Sequence, residues 1–185
     1  MLCSVEQWTD VMRQHAIRRT DNILLYDKNG FFSVCRVALM FRYFGAEKVR
    51  IINGGLKKWL AEHRPTHSGP YVPGEGLDHS GDYNYHVTRE DIFVRKISEV
   101  HQAAHEIFNG SKDIQILDAR PNVLTYGGEP GRPGFLSGNI TGSKSFFAQN
   151  LINQNDGTFK DEDEIRAVSN IRAYFILCRC CVRLT

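Results

Sequence analysis

"NILLYDKNGFFSVCRVALMFRYFGAEKVRIINGGLKKWLAEH", residues 22–63, decides the fold class. "NILLYD" (22–27) is a short apolar run that reads as a buried strand ending at Asp27. "KNGFFS" then turns the chain. Residues 34–45 carry apolar side chains at helical spacing and stop at Gly45, a residue suited to the left-handed conformation that closes helices. "KVRIING" (48–54) reads as a second buried strand, Asn53-Gly54-Gly55 as its turn, and "LKKWLAEH" (56–63) as a short helix. Upstream, Ser4 and Gln7 have capping-box spacing, and Val5, Trp8, Val11 and Met12 recur at helical intervals, so a helix is expected over 5–15. Helix, strand, helix, strand, helix in that order implies parallel strands covered on both faces.

Beyond this stretch, residues 65–86 are rich in Gly, Pro, Ser, His and Tyr without a period and read as a linker. A second unit follows. "KISEVHQAAHEIF" (96–108) is helical and closes on Asn109-Gly110. "IQILDAR" (114–120) is a strand leading to a turn. Residues 121–143 form a long Gly- and Pro-punctuated loop, a length that usually carries function or disorder. "DEDEIRAVSNI" (161–171) reads as a helix with an acidic start and "AYFILC" (173–178) as a strand. The expected division is a first unit over 1–66, a linker over 67–86 and a second unit over 87–185.

The chain has 185 residues, 42% hydrophobic and 24% charged, with a formal net charge of +2. That is apolar material enough for a core and too little charge to point to nucleic acid or an anionic membrane. No run is long enough to span a bilayer, and the start has no signal-peptide pattern. Three of the five cysteines fall in the last eight residues, which is no disulfide framework and favours a reducing compartment, cytoplasmic or mitochondrial. The sequons at Asn109 and Asn139 are discounted accordingly.

Tyr26-Asp27, Gly30, Ser33, Arg36-Val37, Met40-Phe41-Arg42, Phe44-Gly45, Asn53-Gly54-Gly55-Leu56 and Trp59 resemble the first domain of two-domain sulfurtransferases, the rhodanese and 3-mercaptopyruvate sulfurtransferase family. Asp118-Ala119-Arg120, Gly127, Glu129-Pro130, Arg132, Gly134, Gly138, Ile140, Gly142-Ser143, Gly157, Phe159-Lys160 and Glu164-Ile165-Arg166 resemble the front half of their second domain. The resemblance implies an α/β, rhodanese-like fold, a mostly parallel sheet with helices on both faces. Set against it, the chain holds two incomplete repeats and is expected to be truncated at both ends.

The implied reaction moves a sulfane sulfur from thiosulfate or 3-mercaptopyruvate, through a cysteine persulfide, to cyanide or a thiol acceptor. No metal and no organic cofactor is implied. The nucleophile must be a thiolate, so its site should lower a thiol pKa. Converging backbone N–H groups at a strand-to-helix turn favour such an anion. Cys178, at the end of an apolar run, is the candidate nucleophile. Arg132 matches the donor-binding arginine, able to grip a carboxylate or sulfonate with two N–H groups. Asp118 and Arg120 would hold the loop beneath the site, and Gly138 and Gly142 keep its turns.

Several positions depart from the pattern. A second arginine is expected where Leu124 stands, a loss of about 1.5–3 kcal/mol of charge-assisted contact. Asn139 stands where many members have His. The loop after the nucleophile should read Cys-x-x-Gly-Val-Thr, but Cys181 takes the Gly position and Arg183 the Thr position. Two readings stay open: Cys178 is the nucleophile, or the residues after about 170 are foreign to the family and the chain is a non-catalytic, rhodanese-like binding module. Cys178-x-Cys180-Cys181 as a soft-metal site lacks a second ligand pair. Arg183 lies one residue early for a cysteine-phosphatase loop. Asp27 corresponds to the nucleophile's place in the first, usually non-catalytic, domain. Cys35 reads as a small buried hydrophobe, and His101 and His105, i and i+4, as a solvated helix face.

Overall fold

The structure is a computed structural model that describes residues 2–28, 31, 33–70, 72, 76–88, 94–121, 134, 137–169 and 181–182. These fall into two compact units. One takes in the described residues before Val94, together with Gln154–Thr158 and the strand at Cys181–Val182; the other takes in the described residues of Val94–Asn153 and of Phe159–Ala173.

In the first unit, α1 (Val5–Gln14) opens on the expected capping box: Gln7 N–H donates to Ser4 Oγ at 3.2 Å, and Ser4 N–H donates to the Gln7 side chain at 3.1 Å. Two of the four N–H groups that a helix start leaves unpaired are thereby satisfied. β1 (Asn22–Leu25) runs parallel to β2 (Lys48–Ile52), with Ile23 beside Val49 and Leu25 beside Ile51. β5 (Cys181–Val182) extends the sheet in parallel on the far side of β2, giving the order β1-β2-β5. Between β1 and β2 the chain passes through α2 (Val34–Tyr43), which packs on both strands. α3 (Gly55–Ala61) follows β2 after the left-handed turn at Gly54.

The core lies between α1, α2 and one face of the sheet. Phe44 is 0% exposed, and Trp8 stacks on it at 4.8 Å while meeting the edge of Phe41 at 5.0 Å. Such ring pairs contribute about 0.5–1.5 kcal/mol beyond the area they bury. Val34, Ala38, Ile23, Val49 and Ile51 belong to the same cluster.

Among the described residues one face is covered: β2 alternates, with Val49 and Ile51 buried and Lys48 and Arg50 exposed, and Leu24 on β1 is 56% exposed. An apolar run cannot show which of its residues a helix covers, because that depends on layers remote in sequence.

Residues 78–88 have no regular secondary structure, yet they bury Tyr83 and Tyr85. Arg18 holds this strap through Asp78 (2.7 Å) and the Ser80 carbonyl (2.8 Å). The Tyr85 hydroxyl donates to the Ile17 carbonyl at 3.1 Å. Further along, His86 N–H and Thr88 N–H donate to the carbonyls of Phe44 and Tyr43, which the end of α2 would otherwise leave unpaired. Gly45 (φ +85°) permits that approach, since a Cβ there would lie 3.2 Å from the His86 carbonyl oxygen.

In the second unit, α4 (Ile97–Phe108) ends on Asn109 and left-handed Gly110. β3 (Leu117–Asp118) and β4 (Lys144–Ser145) form a parallel pair. A 3-10 turn over Ala148–Leu151 and an antiparallel bridge between Ile152 and Phe159 lead to α5 (Glu162–Ser169). Asp161 and Glu164 cap α5 reciprocally, Glu164 N–H to the Asp161 carboxylate at 2.8 Å and Asp161 N–H to the Glu164 carboxylate at 3.1 Å. The expected strand over 173–178 lies outside the described residues. Among the described residues, no helix is long and apolar enough to cross a membrane.

Candidate active site

Asp118 ends β3, and two residues later Arg120 folds back on it. The guanidinium meets the carboxylate with one edge: Nε donates to Oδ1 at 2.9 Å, and Nη2 donates to Oδ2 at 2.6 Å. Arg120 backbone N–H adds a bond to Oδ1 at 3.0 Å. This matches the planar fork of arginine to the two carboxylate oxygens, which lysine could not do. The carboxylate holds the Arg120 pKa above its ordinary value, first through these hydrogen bonds.

Arg120 Nη2 also donates to the Gly138 carbonyl at 2.8 Å. The brace thus ties the residues just before the long loop to Gly138, within its last part. On the returning side, Lys144 N–H bonds the Ile116 carbonyl (2.9 Å) and Phe146 N–H the Asp118 carbonyl (2.7 Å). Asn139 donates to Ser143 Oγ at 3.1 Å, closing the turn that follows Gly138. A cleft of about 540 Å³ lies along this brace, lined by Asp118, Arg120, Gly138 and Asn139 among others.

Gly142 stands apart from the brace. Its φ is +78°, and a Cβ there would come within 2.6 Å of Ile107 Cγ2 on α4. It lets the loop return close against that helix. Of the residues singled out from sequence, the structure therefore gathers Asp118, Arg120 and Gly138, and sets Gly142 against α4. Cys178, Arg132 and Leu124 lie outside the described residues.

The first unit shows a second anion arrangement that sequence reasoning did not foresee. The Asp27 carboxylate accepts backbone N–H groups from Phe31 (3.0 Å), Ser33 (3.0 Å) and Val34 (3.3 Å), at the entry to α2. Its carbonyl accepts the Leu56 N–H at 3.1 Å. Left-handed Gly55 is needed beneath it, because a Cβ would lie 2.8 Å from the Asp27 carbonyl oxygen. A signal was present in the sequence: an Asp, a turn and then Ser before a helical run is a pattern in which carboxylate and N–H groups meet. Among the described residues no three His, Cys, Asp or Glu side chains come together as metal ligands.

The fold and these loops define a class: an α/β protein in which parallel strands end in tightly tied, anion-holding loops. Comparison with known proteins narrows it. The chain is 31% identical over 170 residues to 3-mercaptopyruvate sulfurtransferase of Escherichia coli K12, covering 91% of itself and 55% of that protein. It is 29% identical over 172 residues to thiosulfate sulfurtransferase of Cricetulus griseus, covering 91% and 54%. Among solved structures it matches the 3-mercaptopyruvate sulfotransferase SseA of Escherichia coli with a TM-score of 0.73 at 28% identity, over 91% of this chain and 58% of that one. It shares its fold with Tum1 of Saccharomyces cerevisiae, with a TM-score of 0.74 at 20% identity, over 91% and 58%. No family model matches. The chain belongs to the rhodanese-like sulfurtransferase family, and it spans about half the length of the curated relatives it matches.

Proposed function

We propose that the chain is a sulfurtransferase module that takes a sulfane sulfur from thiosulfate or 3-mercaptopyruvate and passes it, through a persulfide on Cys178, to cyanide or a thiol. The observation that supports this best is the Asp118–Arg120–Gly138 brace. It ties Arg120, just before the loop that carries Arg132 in sequence, to Gly138, in that loop beyond Arg132. In this reading Arg132 grips the donor's carboxylate or sulfonate. The Cys178 thiolate attacks the donor's outer sulfur, that sulfur's bond to the donor breaks, and sulfite or the pyruvate enolate leaves with the electron pair. Cyanide then attacks the outer sulfur of the persulfide, giving thiocyanate and returning the thiolate. No cofactor takes part.

In the same reading the chain carries two incomplete rhodanese-like repeats, over 1–66 and 87–185 with a linker over 67–86. The helices of a fully covered sheet would lie over the open face that carries Leu24 and Arg50. Cytoplasm and mitochondrion are the proposed locations. The test is thiocyanate formation from cyanide with each donor, together with mass spectrometry of the donor-treated protein. Turnover with a sulfur added to Cys178, both lost in Cys178→Ser, is the expected result. The rival, a non-catalytic rhodanese-like binding module, is favoured by Leu124 in place of an arginine and Cys181 in place of a glycine. Absence of both turnover and persulfide would select it.

A further inference from the structure

The bonds that hold Arg120 leave part of its guanidinium unused. Nε donates to both Asp118 oxygens, at 2.9 and 3.1 Å, and Nη2 donates to Asp118 Oδ2 (2.6 Å) and to the Gly138 carbonyl (2.8 Å). Nη1 makes none of these bonds, and among the described residues nothing accepts from it. Arg120 also lines the cleft of about 540 Å³ beside the brace. Its side chain is 48% exposed, whereas that of Asp118 is 11% exposed. These are the two charged side chains of the cleft wall; the other described residues there are apolar or carry a hydroxyl or an amide. The carboxylate is taken up by the brace, so the charge that meets solvent in the cleft is the guanidinium.

We propose that Arg120 is an oxyanion-binding residue of this cleft, with Nη1 donating to an oxygen of the sulfur donor, on the sulfonate end of thiosulfate or the carboxylate of 3-mercaptopyruvate. The identity of the ligand rests on the sulfurtransferase reading above; the anion site rests on the guanidinium's own geometry. The parallel fork that grips two oxygens at once is already engaged on Asp118. The two N–H groups of Nη1 diverge and hold one oxygen each, which suits a tetrahedral anion and a planar one alike. Preorganisation favours the contact. Ordering a free arginine against a ligand costs rotamer entropy, but the bonds to Asp118 and Gly138 fix this one before any ligand arrives. Its guanidinium stays charged throughout the range in which proteins work. In the sequence, Leu124 stands where a second donor-binding arginine is expected, and Arg120 supplies the cation that the leucine lacks.

Binding is read apart from sulfur transfer in the Cys178→Ser chain. It is titrated with thiosulfate and, separately, with 3-mercaptopyruvate, while nitrogen NMR follows the Arg120 guanidinium. A saturable shift of the Arg120 signals is expected with at least one donor, and the donor that saturates at lower concentration is the better ligand. Chloride at equal ionic strength should not produce it. In the same background Arg120→Met should weaken binding about tenfold or more, as loss of a charge-assisted bond does. Ser143→Ala removes the acceptor of the Asn139 amide and loosens the same turn without touching Arg120; it should leave the affinity nearly unchanged.

Arg120 signals unmoved by both donors overturn the proposal. So does a shift that chloride reproduces, or undiminished affinity in Arg120→Met. A loss in Ser143→Ala equal to that in Arg120→Met overturns it too, because loop order and not Nη1 would then be the cause. The result is separate from that of turnover. Binding through Arg120 in a chain that forms no persulfide would support the anion site and count against sulfur transfer. Turnover with the Arg120 signals unmoved would do the reverse.

Discussion

The Asp27 carboxylate accepts the backbone N–H of Ser33, six residues ahead, at 3.0 Å, and through this bond and its neighbours one side chain closes the loop between β1 and α2. Asp27→Ala would leave three N–H groups without their acceptor. Water reaches this partly exposed position, so the loss should be near that of one charge-assisted bond, about 2 kcal/mol. Asp27→Asn keeps one acceptor oxygen and should cost less. Urea unfolding of both variants checks the order, and equal stability of Asp27→Ala and the parent would refute it.

Arg120→Lys keeps the charge but cannot span both carboxylate oxygens and the Gly138 carbonyl together. The expected outcome is faster amide exchange at residues 138–144 with little change elsewhere. In the proposed sulfurtransferase, KM for the donor should rise more than kcat falls. Unchanged exchange would show that the brace does not hold the loop.

Gly142 and Gly110 are both left-handed, but only Gly142 faces a close neighbour, Ile107; nothing lies within 4 Å of a Cβ at Gly110. Gly110→Ala should cost about 1 kcal/mol from backbone strain alone. Gly142→Ala adds overpacking, for about 2–4 kcal/mol in all. Ile107→Ala should recover part of that loss in a double-mutant cycle. Additive effects of Gly142→Ala and Ile107→Ala would remove the close contact as the cause.

Asp156 takes the Thr158 N–H at 3.0 Å and the Thr158 hydroxyl at 2.7 Å, and its pKa is lowered, chiefly by the backbone bond and then by the hydroxyl. A carboxyl whose folded pKa lies below its unfolded value contributes stability that is fully present above the unfolded pKa. That contribution fades as pH falls through the folded pKa. Thr158→Ala should raise the Asp156 pKa, and a carboxyl-carbon NMR titration reads it directly. A midpoint unmoved in the variant would leave no role for the hydroxyl.

Much of the architecture was legible locally. The capping box at Ser4, the stop at Gly45 and the turn at Gly54 depend on residues within a turn of one another, and the elements at 5–14, 34–43 and 48–52 follow the spacing of apolar side chains. The pairing of Asp118 with Arg120 lies within reach of the same local reasoning. Apolar spacing could not reveal that Leu24 stays open, because its cover depends on which layer packs there. Nor could it reveal that Tyr85 reaches Ile17, 68 positions earlier. A Gly-, Pro- and Ser-rich stretch reads as linker because it has no period, yet individual tyrosines in it can still be held in place by Trp8 and Arg13.

By itself the sequence determined the kinds of element, their order, their caps and the family motifs, since backbone preference and side-chain periodicity act over a few residues. Tertiary structure alone decided the strand order β1-β2-β5, the hold of Tyr85 on the Ile17 carbonyl and the exposure of Leu24. Each of these depends on segments brought together only when the chain folds, where burial and hydrogen-bond satisfaction are settled between partners far apart in sequence.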